Sequence, residues 1–276
     1  AGEPSPRLAT HVTREIAKSI LSRNASPDIP FTLSINPYRG CEHGCIYCYA
    51  RPSHAYLDLS PGIDFETRLF AKTNAAELLR AELARPSHRC ESIALGSNTD
   101  PYQPVEREFR ITRAVLEELD ECSHPVGIVT KNALVLRDLD ILARMAKRNL
   151  VQVFISVTTL DADVSRRMEP RAVAPARRLE ALSELRDAGV PCGVLVAPVV
   201  PFLTDHEVET ILDAAAAAGA TRAGYVLLRL PWEVEGLFRD SPGNHYPLRA
   251  AHVMNRVQAL RAGRSYDAPV GTRRGG

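Results

Sequence analysis

At 276 residues, 45% hydrophobic and 24% charged, the chain has the composition of an ordinary soluble protein and enough length to bury the core of one large α/β domain. Its formal net charge of +1 excludes a protein that grips nucleic acid by bulk charge, though not one with a local basic patch. No apolar run approaches the roughly 20 residues of a membrane span. Ala1 to Arg23 lacks the charged-then-apolar layout of a secretion signal, so a cytoplasmic protein is expected. There, thiols stay reduced, and the six cysteines imply metal binding, catalysis or inert burial before disulfides.

The first thirty residues read as an extension with one helix, Val12–Ser22, followed by Ser26-Pro27-Asp28-Ile29-Pro30, whose prolines force an extended approach to what comes next. From Phe31 onward, short β-rich apolar runs alternate with amphipathic helical stretches, the pattern of a parallel sheet covered by helices. The first strand is Phe31 to Asn36, and a cysteine-rich loop follows it. A helix then opens at Asn74, which with Glu77 forms a capping box, and runs over Ala75–Ala84. The second strand, Ser92 to Gly96, leads into Ser97-Asn98-Thr99-Asp100-Pro101-Tyr102, and a helix over Ile111–Glu121 turns Val115, Leu116 and Leu119 inward. The third strand is Val126–Thr130. Leu136–Lys147 reads as a helix with Leu139, Leu142 and Ala143 inward, and Val151–Val157 as the fourth strand. Arg177–Ala188 is a helix stopped by Gly189, and Gly193–Ala197 is the fifth strand. A further helix, with a capping box of Thr204 and Glu207, ends at Gly219, and Gly224–Arg229 is the sixth strand. The most economical arrangement is an open partial (β/α)6 barrel over 31–230, with a C-terminal part, 231–276, that holds a helix from Pro247 to Arg261 and a basic end.

The decisive stretch is Asn36-Pro37-Tyr38-Arg39-Gly40-Cys41-Glu42-His43-Gly44-Cys45-Ile46-Tyr47-Cys48-Tyr49. Three thiolates at C-x3-C-x2-C can each take one iron of a 4Fe–4S cluster and leave the fourth iron without a protein ligand. The alternative is a Cys3His zinc site completed by His43 or a distant cysteine. Tyr38 and Arg39 read as residues that hold the loop, and His43 as solvent-exposed or packed beside the ligands.

With this triplet on the loop after the first strand of a partial barrel, the sequence resembles the radical S-adenosylmethionine (SAM) superfamily over Phe31–Arg229. The resemblance implies that Cys41, Cys45 and Cys48 bind a 4Fe–4S cluster whose open iron chelates SAM. It also implies a reductant such as flavodoxin or ferredoxin that drives cleavage of SAM to a 5′-deoxyadenosyl radical. Tyr47 and Tyr49 around Cys48, Thr99-Asp100, Thr130-Lys131 and Ser156 are similar to the spore photoproduct lyase group of DNA-repair enzymes. That likeness implies SAM contacts from Tyr47, Thr99, Lys131, Ser156 and Ala197, with Asp100 either orienting the SAM amino group or capping a turn. Catalytic roles fall on Tyr49, near the radical, and on Tyr47. One departure stands out: the lyase needs a hydrogen-donor cysteine near the end of the second strand, where this chain has Ser97-Asn98-Thr99, and Cys90 lies at the opposite end of that strand. A serine O–H bond is too strong to replace a thiol in that role.

The substrate expected is therefore bulky, a nucleobase in DNA or RNA, with a peptide or small metabolite as the alternative within enzymes. A non-catalytic iron–sulfur or zinc interaction protein is the alternative outside them. Glu169-Pro170-Arg171, at the expected mouth of the barrel, reads as a surface ion pair or as a charged pair that faces SAM or substrate, and Cys90, Cys122 and Cys192 as inert buried thiols. From Arg249 on, six arginines (Arg249, Arg256, Arg261, Arg264, Arg273, Arg274) face one acid, Asp267. With Tyr266 they form either a phosphate-binding, base-stacking segment or a solubilising tail.

Overall fold

Alternating apolar runs and amphipathic stretches fold into parallel strands joined by helices. The computed structural model describes residues 9–24, 30–240 and 247–259. In chain order it contains β1 (His11–Glu15), β2 (Leu21–Arg23), β3 (Leu33–Ile35), β4 (Tyr38–Arg39), a 3-10 turn (Arg51–Leu57), α1 (Asp64–Thr67), β5 (Arg68–Lys72), α2 (Ala75–Leu83) and β6 (Ile93–Leu95). There follow α3 (Glu106–Phe109), α4 (Ile111–Glu121), β7 (Val126–Thr130), a 3-10 turn (Ala133–Asp138), α5 (Leu139–Ala146), β8 (Val151–Ser156), α6 (Ala162–Met168) and α7 (Pro175–Asp187). The last elements are β9 (Cys192–Val199), a 3-10 turn (Asp205–Glu207), α8 (Val208–Ala217), β10 (Arg222–Leu227), α9 (Glu233–Asp240) and α10 (Pro247–Ala259).

The main sheet has the order β10-β9-β8-β7-β6-β3-β2. Six neighbouring strands, β3 and β6 to β10, are parallel and follow chain order, while β2 pairs antiparallel with β3. This is the expected partial (β/α)6 arrangement, open between β10 and β2. Alternate residues of β7 and β8 are buried: Val126, Ile128 and Thr130 on one, Val151, Val153 and Ile155 on the other. Against them pack the apolar faces of α4 (Val115, Leu116, Leu119) and α5 (Ile141, Leu142, Met145). In α5 the expected inward positions Leu139 and Ala143 are only half buried, because the segment before Leu139 is 3-10 and turns the face.

The helix expected over Val12–Ser22 is not formed. Val12 and Thr13 suit an extended chain, and β1 pairs in parallel with β5 in a second sheet, β1-β5-β4. Both expected capping boxes are also absent, although the helices they were to start are present. Asn74 spends its amide on the backbone of Ala17, accepting from its N–H at 2.9 Å and donating to its carbonyl at 3.0 Å. Thr204 accepts from Val200 N–H at 3.0 Å, and Glu207 from Thr159 Oγ1 at 2.6 Å and Leu160 N–H at 2.7 Å. Gly189 does end α7 in the left-handed conformation, with φ +72°. Among the described residues no helix is long and apolar enough to cross a membrane.

Candidate active site

The C-terminal ends of parallel strands form one rim, where loops project functional groups. The loop after β3 carries Cys41, Cys45 and Cys48, all free thiols, the first two buried and the third half-buried. Its path depends on glycine at two positions. Gly40 (φ +75°) leaves no room for a Cβ against Leu69 and the Phe65 carbonyl, and Gly44 (φ +66°) holds a left-handed backbone that other residues rarely adopt, beside the ends of the Arg171 and Glu66 side chains. Polar side chains then pin the loop. Gln103 accepts from Glu42 N–H at 2.9 Å and donates to the Gly40 carbonyl at 3.1 Å, while Glu42 accepts from Val105 N–H at 2.7 Å. Arg51 donates to the carbonyls of Cys45 (2.9 Å) and Gly62 (2.9 Å) and pairs with Glu66, which also pairs with Arg171. Tyr38 donates to Glu106 and Arg39 makes a bidentate pair with Glu15, so both hold the loop as their positions suggested.

Burial raises the pKa of all three thiols; the Asp100 carboxylate and the other two cysteines add to the effect at Cys41, and Glu169 adds at Cys45, which is pushed up to about 12. His43 is buried, not exposed. Its Nδ1 lies 3.4 Å from Asp100 Oδ2 and its Nε2 is 3.5 Å from the Asn132 amide. Burial holds this imidazole below its usual pKa, opposed by Asp100. With both nitrogens turned to other partners, His43 does not complete a Cys3His set, and three sulfurs from one loop fit a cluster with an open iron better than a tetrahedral zinc site.

Beside the loop, Lys131 after β7 brings together several of the expected residues. Its Nζ donates to Ser156 Oγ at 2.7 Å and to the Ala197 carbonyl at 3.3 Å, lies 3.1 Å from Glu169 Oε1, and sits 5.7 Å from the centre of the Tyr47 ring. Glu169 is buried rather than part of a surface ion pair. It receives Tyr47 Oη, Thr158 Oγ1 (2.8 Å) and the buried Arg178 guanidinium, which also donates to the Ser156 carbonyl at 3.0 Å. Burial alone would raise the Glu169 pKa, but Arg178 and Lys131 overcome it and hold the carboxyl well below the carboxylate range. Arg171 is drawn to the loop, donating to the Glu42 carbonyl and pairing with Glu66.

The two residues after β6 are less open to a ligand. Thr99 is buried and donates to the Tyr38 carbonyl at 2.9 Å. Asp100 takes the turn-capping role, accepting from Tyr102 N–H, Lys131 N–H and Thr130 Oγ1 at 2.7–2.8 Å. Tyr49 is 59% exposed and its hydroxyl donates to the Ser97 carbonyl. The sequence reading missed Arg51, Glu66, Gln103, Thr158 and Arg178, since polar residues in helices and loops carry no local sign of burial. Of the other cysteines only Cys192 is buried; Cys90 and Cys122 are exposed. In the basic segment, Arg256 is exposed on α10, whereas Arg261, Arg264, Tyr266, Arg273 and Arg274 lie outside the described residues, as do the side-chain contacts of Arg249.

Comparison with known proteins agrees with this geometry. The profile of the radical SAM superfamily matches residues 35–215. An uncharacterized protein of Mycobacterium tuberculosis is 42% identical over 227 residues, covering 81% of this chain and 66% of that protein. An uncharacterized protein of Methanocaldococcus jannaschii is 28% identical over 173 residues, covering 63% of this chain and 62% of its own length. The chain thus spans just under two thirds of the length of these relatives. A structure of spore photoproduct lyase complexed with dinucleoside spore photoproduct superposes with a TM-score of 0.62 at 15% identity, over 84% of this chain and 66% of that one, a likeness of fold.

Proposed function

We propose, since the chain belongs to the radical SAM superfamily and is a radical SAM enzyme, that Cys41, Cys45 and Cys48 hold a 4Fe–4S cluster and that the reaction is performed on a nucleobase in DNA or RNA. When bound, cluster and SAM supply a 5′-deoxyadenosyl radical through one-electron cleavage of the sulfonium, the electron coming from a flavodoxin or ferredoxin. The observation that carries the reading is the convergence of Lys131, Ser156, Ala197 and Tyr47 beside the cysteine loop. The Lys131 ammonium supplies a charge for the SAM carboxylate, and the Ser156 hydroxyl a donor and acceptor for its polar groups. Arg178 and Lys131 keep Glu169 ionised beneath that seat, with the Tyr47 and Thr158 hydroxyls donating to it, while Thr99 and Asp100 fix the turn after β6. Cys45 and Tyr47 pack among Met168, Val200, Leu228, Leu230 and Val234, an apolar wall that keeps water from one flank of the loop.

A nucleobase is favoured by exposed aromatic groups on the loops that follow strands. Tyr49 on the cysteine loop, Phe202 after β9 and Trp232 after β10 are 59%, 57% and 71% exposed, and planar bases stack on such faces. The basic segment from Arg249 onward supplies phosphate contacts, which makes affinity for DNA or RNA fall steeply with salt. The deciding assay is anaerobic reconstitution followed by dithionite and SAM, with and without UV-irradiated thymine-containing DNA. The expected result is a brown protein with about four irons per chain that releases 5′-deoxyadenosine. Thymine is not regenerated, because Ser97 and Asn98 stand where a donor thiol is needed. A colourless protein that binds one zinc and leaves SAM intact would refute the proposal.

A further inference from the structure

Far from the cysteine loop, at the opposite ends of the strands, two short segments meet. His88-Arg89-Cys90 leads into β6 and Cys122-Ser123-His124 leads into β7. These strands are neighbours, with Ile93 paired to Val126. The spacing is mirrored: His-x-Cys enters one strand and Cys-x-His the next. His88 Nε2 and His124 Nε2 are 3.0 Å apart, with ring centres at 5.2 Å. His124 is 4% exposed, His88 half-buried, and both cysteines are exposed.

The backbone fixes the chemistry of His124. Its Nδ1 lies 3.1 Å from the Pro125 carbonyl, a contact that assigns the hydrogen to Nδ1 and leaves Nε2 as a bare lone pair aimed at His88. Metal-ligating histidines are held in this way, the second nitrogen donating to a carbonyl. Between two imidazole nitrogens at 3.0 Å there is room for one proton or one cation. Two ligands at ~2.0–2.1 Å on a tetrahedral zinc-type ion stand about 3.3–3.4 Å apart, so the rings need to part by only a few tenths of an ångström. Cys90 and Cys122 stand two residues from these histidines, and both are exposed.

We propose that His88, Cys90, Cys122 and His124 form a second metal site, a Cys2His2 set for a zinc-type divalent cation. Among the described residues no three such side chains already converge on one ion; the histidine pair is the preformed half, and the thiols close on loading. Each thiol gives up its proton to solvent as its thiolate binds. The site joins the segment before β6 to the turn before β7, and with four protein ligands it leaves no open position, which makes it structural rather than catalytic.

The test uses the full chain, iron-loaded under anaerobic conditions and titrated with zinc chloride. Zinc-edge X-ray absorption is expected to show about one zinc per chain, with nitrogen and sulfur ligands in equal number. His88→Ala, and separately the pair Cys90→Ser and Cys122→Ser, should each weaken zinc binding by about 100-fold or more, beyond the ~10–100-fold that loss of a ligand's supporting partner costs. Iron content and SAM cleavage should stay unchanged. A second readout needs no variant: zinc raises the melting temperature of the wild-type chain and a chelator lowers it again. The proposal is overturned if the wild-type chain takes up no zinc beyond its iron and shows no such shift. It is equally overturned if bound zinc has only sulfur ligands and is lost with Cys41→Ser, or if the Cys90/Cys122 variant binds zinc as tightly as wild type.

Discussion

At the scale of single residues, Glu169 and Arg178 matter most. Both are buried, 1% exposed, and each fills the other's charge within hydrogen-bond reach. Desolvating two charges is costly, and the compensation here comes from many bonds: Arg178 also donates to the carbonyls of Val173 (2.7 Å) and Ser156 (3.0 Å), and Glu169 also receives Tyr47, Thr158 and Lys131. Breaking one side of such a pair leaves an unmatched charge in the interior. Arg178→Met is therefore expected to lower stability by about 3–5 kcal/mol, read by urea or thermal unfolding. The double variant Arg178→Met with Glu169→Leu should recover most of that loss, because an apolar pair of similar volume is often neutral. What it fails to recover measures the partners lost by Lys131, Tyr47, Thr158 and the Val173 and Ser156 carbonyls together. A single variant costing less than about 1 kcal/mol, the size of a surface pair, would show that the Glu169 charge is satisfied without Arg178.

At the scale of elements, the α2 segment shows what the sequence carries and what it withholds. Its apolar spacing is local, so the helix over Ala75–Leu83 was legible, as were α4 and the strand over Val126–Thr130, whose bounds agree residue for residue. That the expected capping box at its start would not form was hidden, because Asn74 is taken by Ala17, 57 residues away. The same holds for Thr204 and Glu207, and for β1, whose extended form exists only as the partner of β5. The cysteine triplet was legible for the opposite reason, since all three ligand positions lie within one short loop. The polar frame around it was not: Lys131 meets Glu169 across 38 residues of chain and Arg171 meets Glu66 across 105. Asn74→Ala should thus cost about 1–3 kcal/mol, the penalty for stranding half-buried backbone groups, and speed hydrogen exchange at Ala17. Glu77→Ala should change stability by less than about 0.5 kcal/mol, as at an exposed site without a structural partner. If the two substitutions were equally costly, a capping box would be operating after all.

At the scale of the whole molecule, the sheet is a barrel left open. Its six parallel strands were predictable from the repeated strand-and-helix rhythm, but their closure depends on what covers the first and last strands, and no local pattern encodes that. At one side β2 shields β3. At the other, among the described residues β10 pairs only with β9, and residues on both its faces are open, with Tyr225 and Val226 75% and 41% exposed. A strand with one bonded edge and little buried apolar surface opens without unfolding its neighbours. By contrast, β8 lies between β7 and β9, and its core positions Val153 and Ile155 are fully buried. Amides of Arg222–Leu227 that bond to β9 are therefore expected to exchange with deuterium on the order of 100-fold faster than those of Val151–Ser156, a gap of roughly 3 kcal/mol in opening free energy. Peptide-level exchange followed by mass spectrometry reads both strands in one experiment. Equal protection would mean that β10 opens only together with the core, making the sheet a single cooperative unit despite its exposed edge.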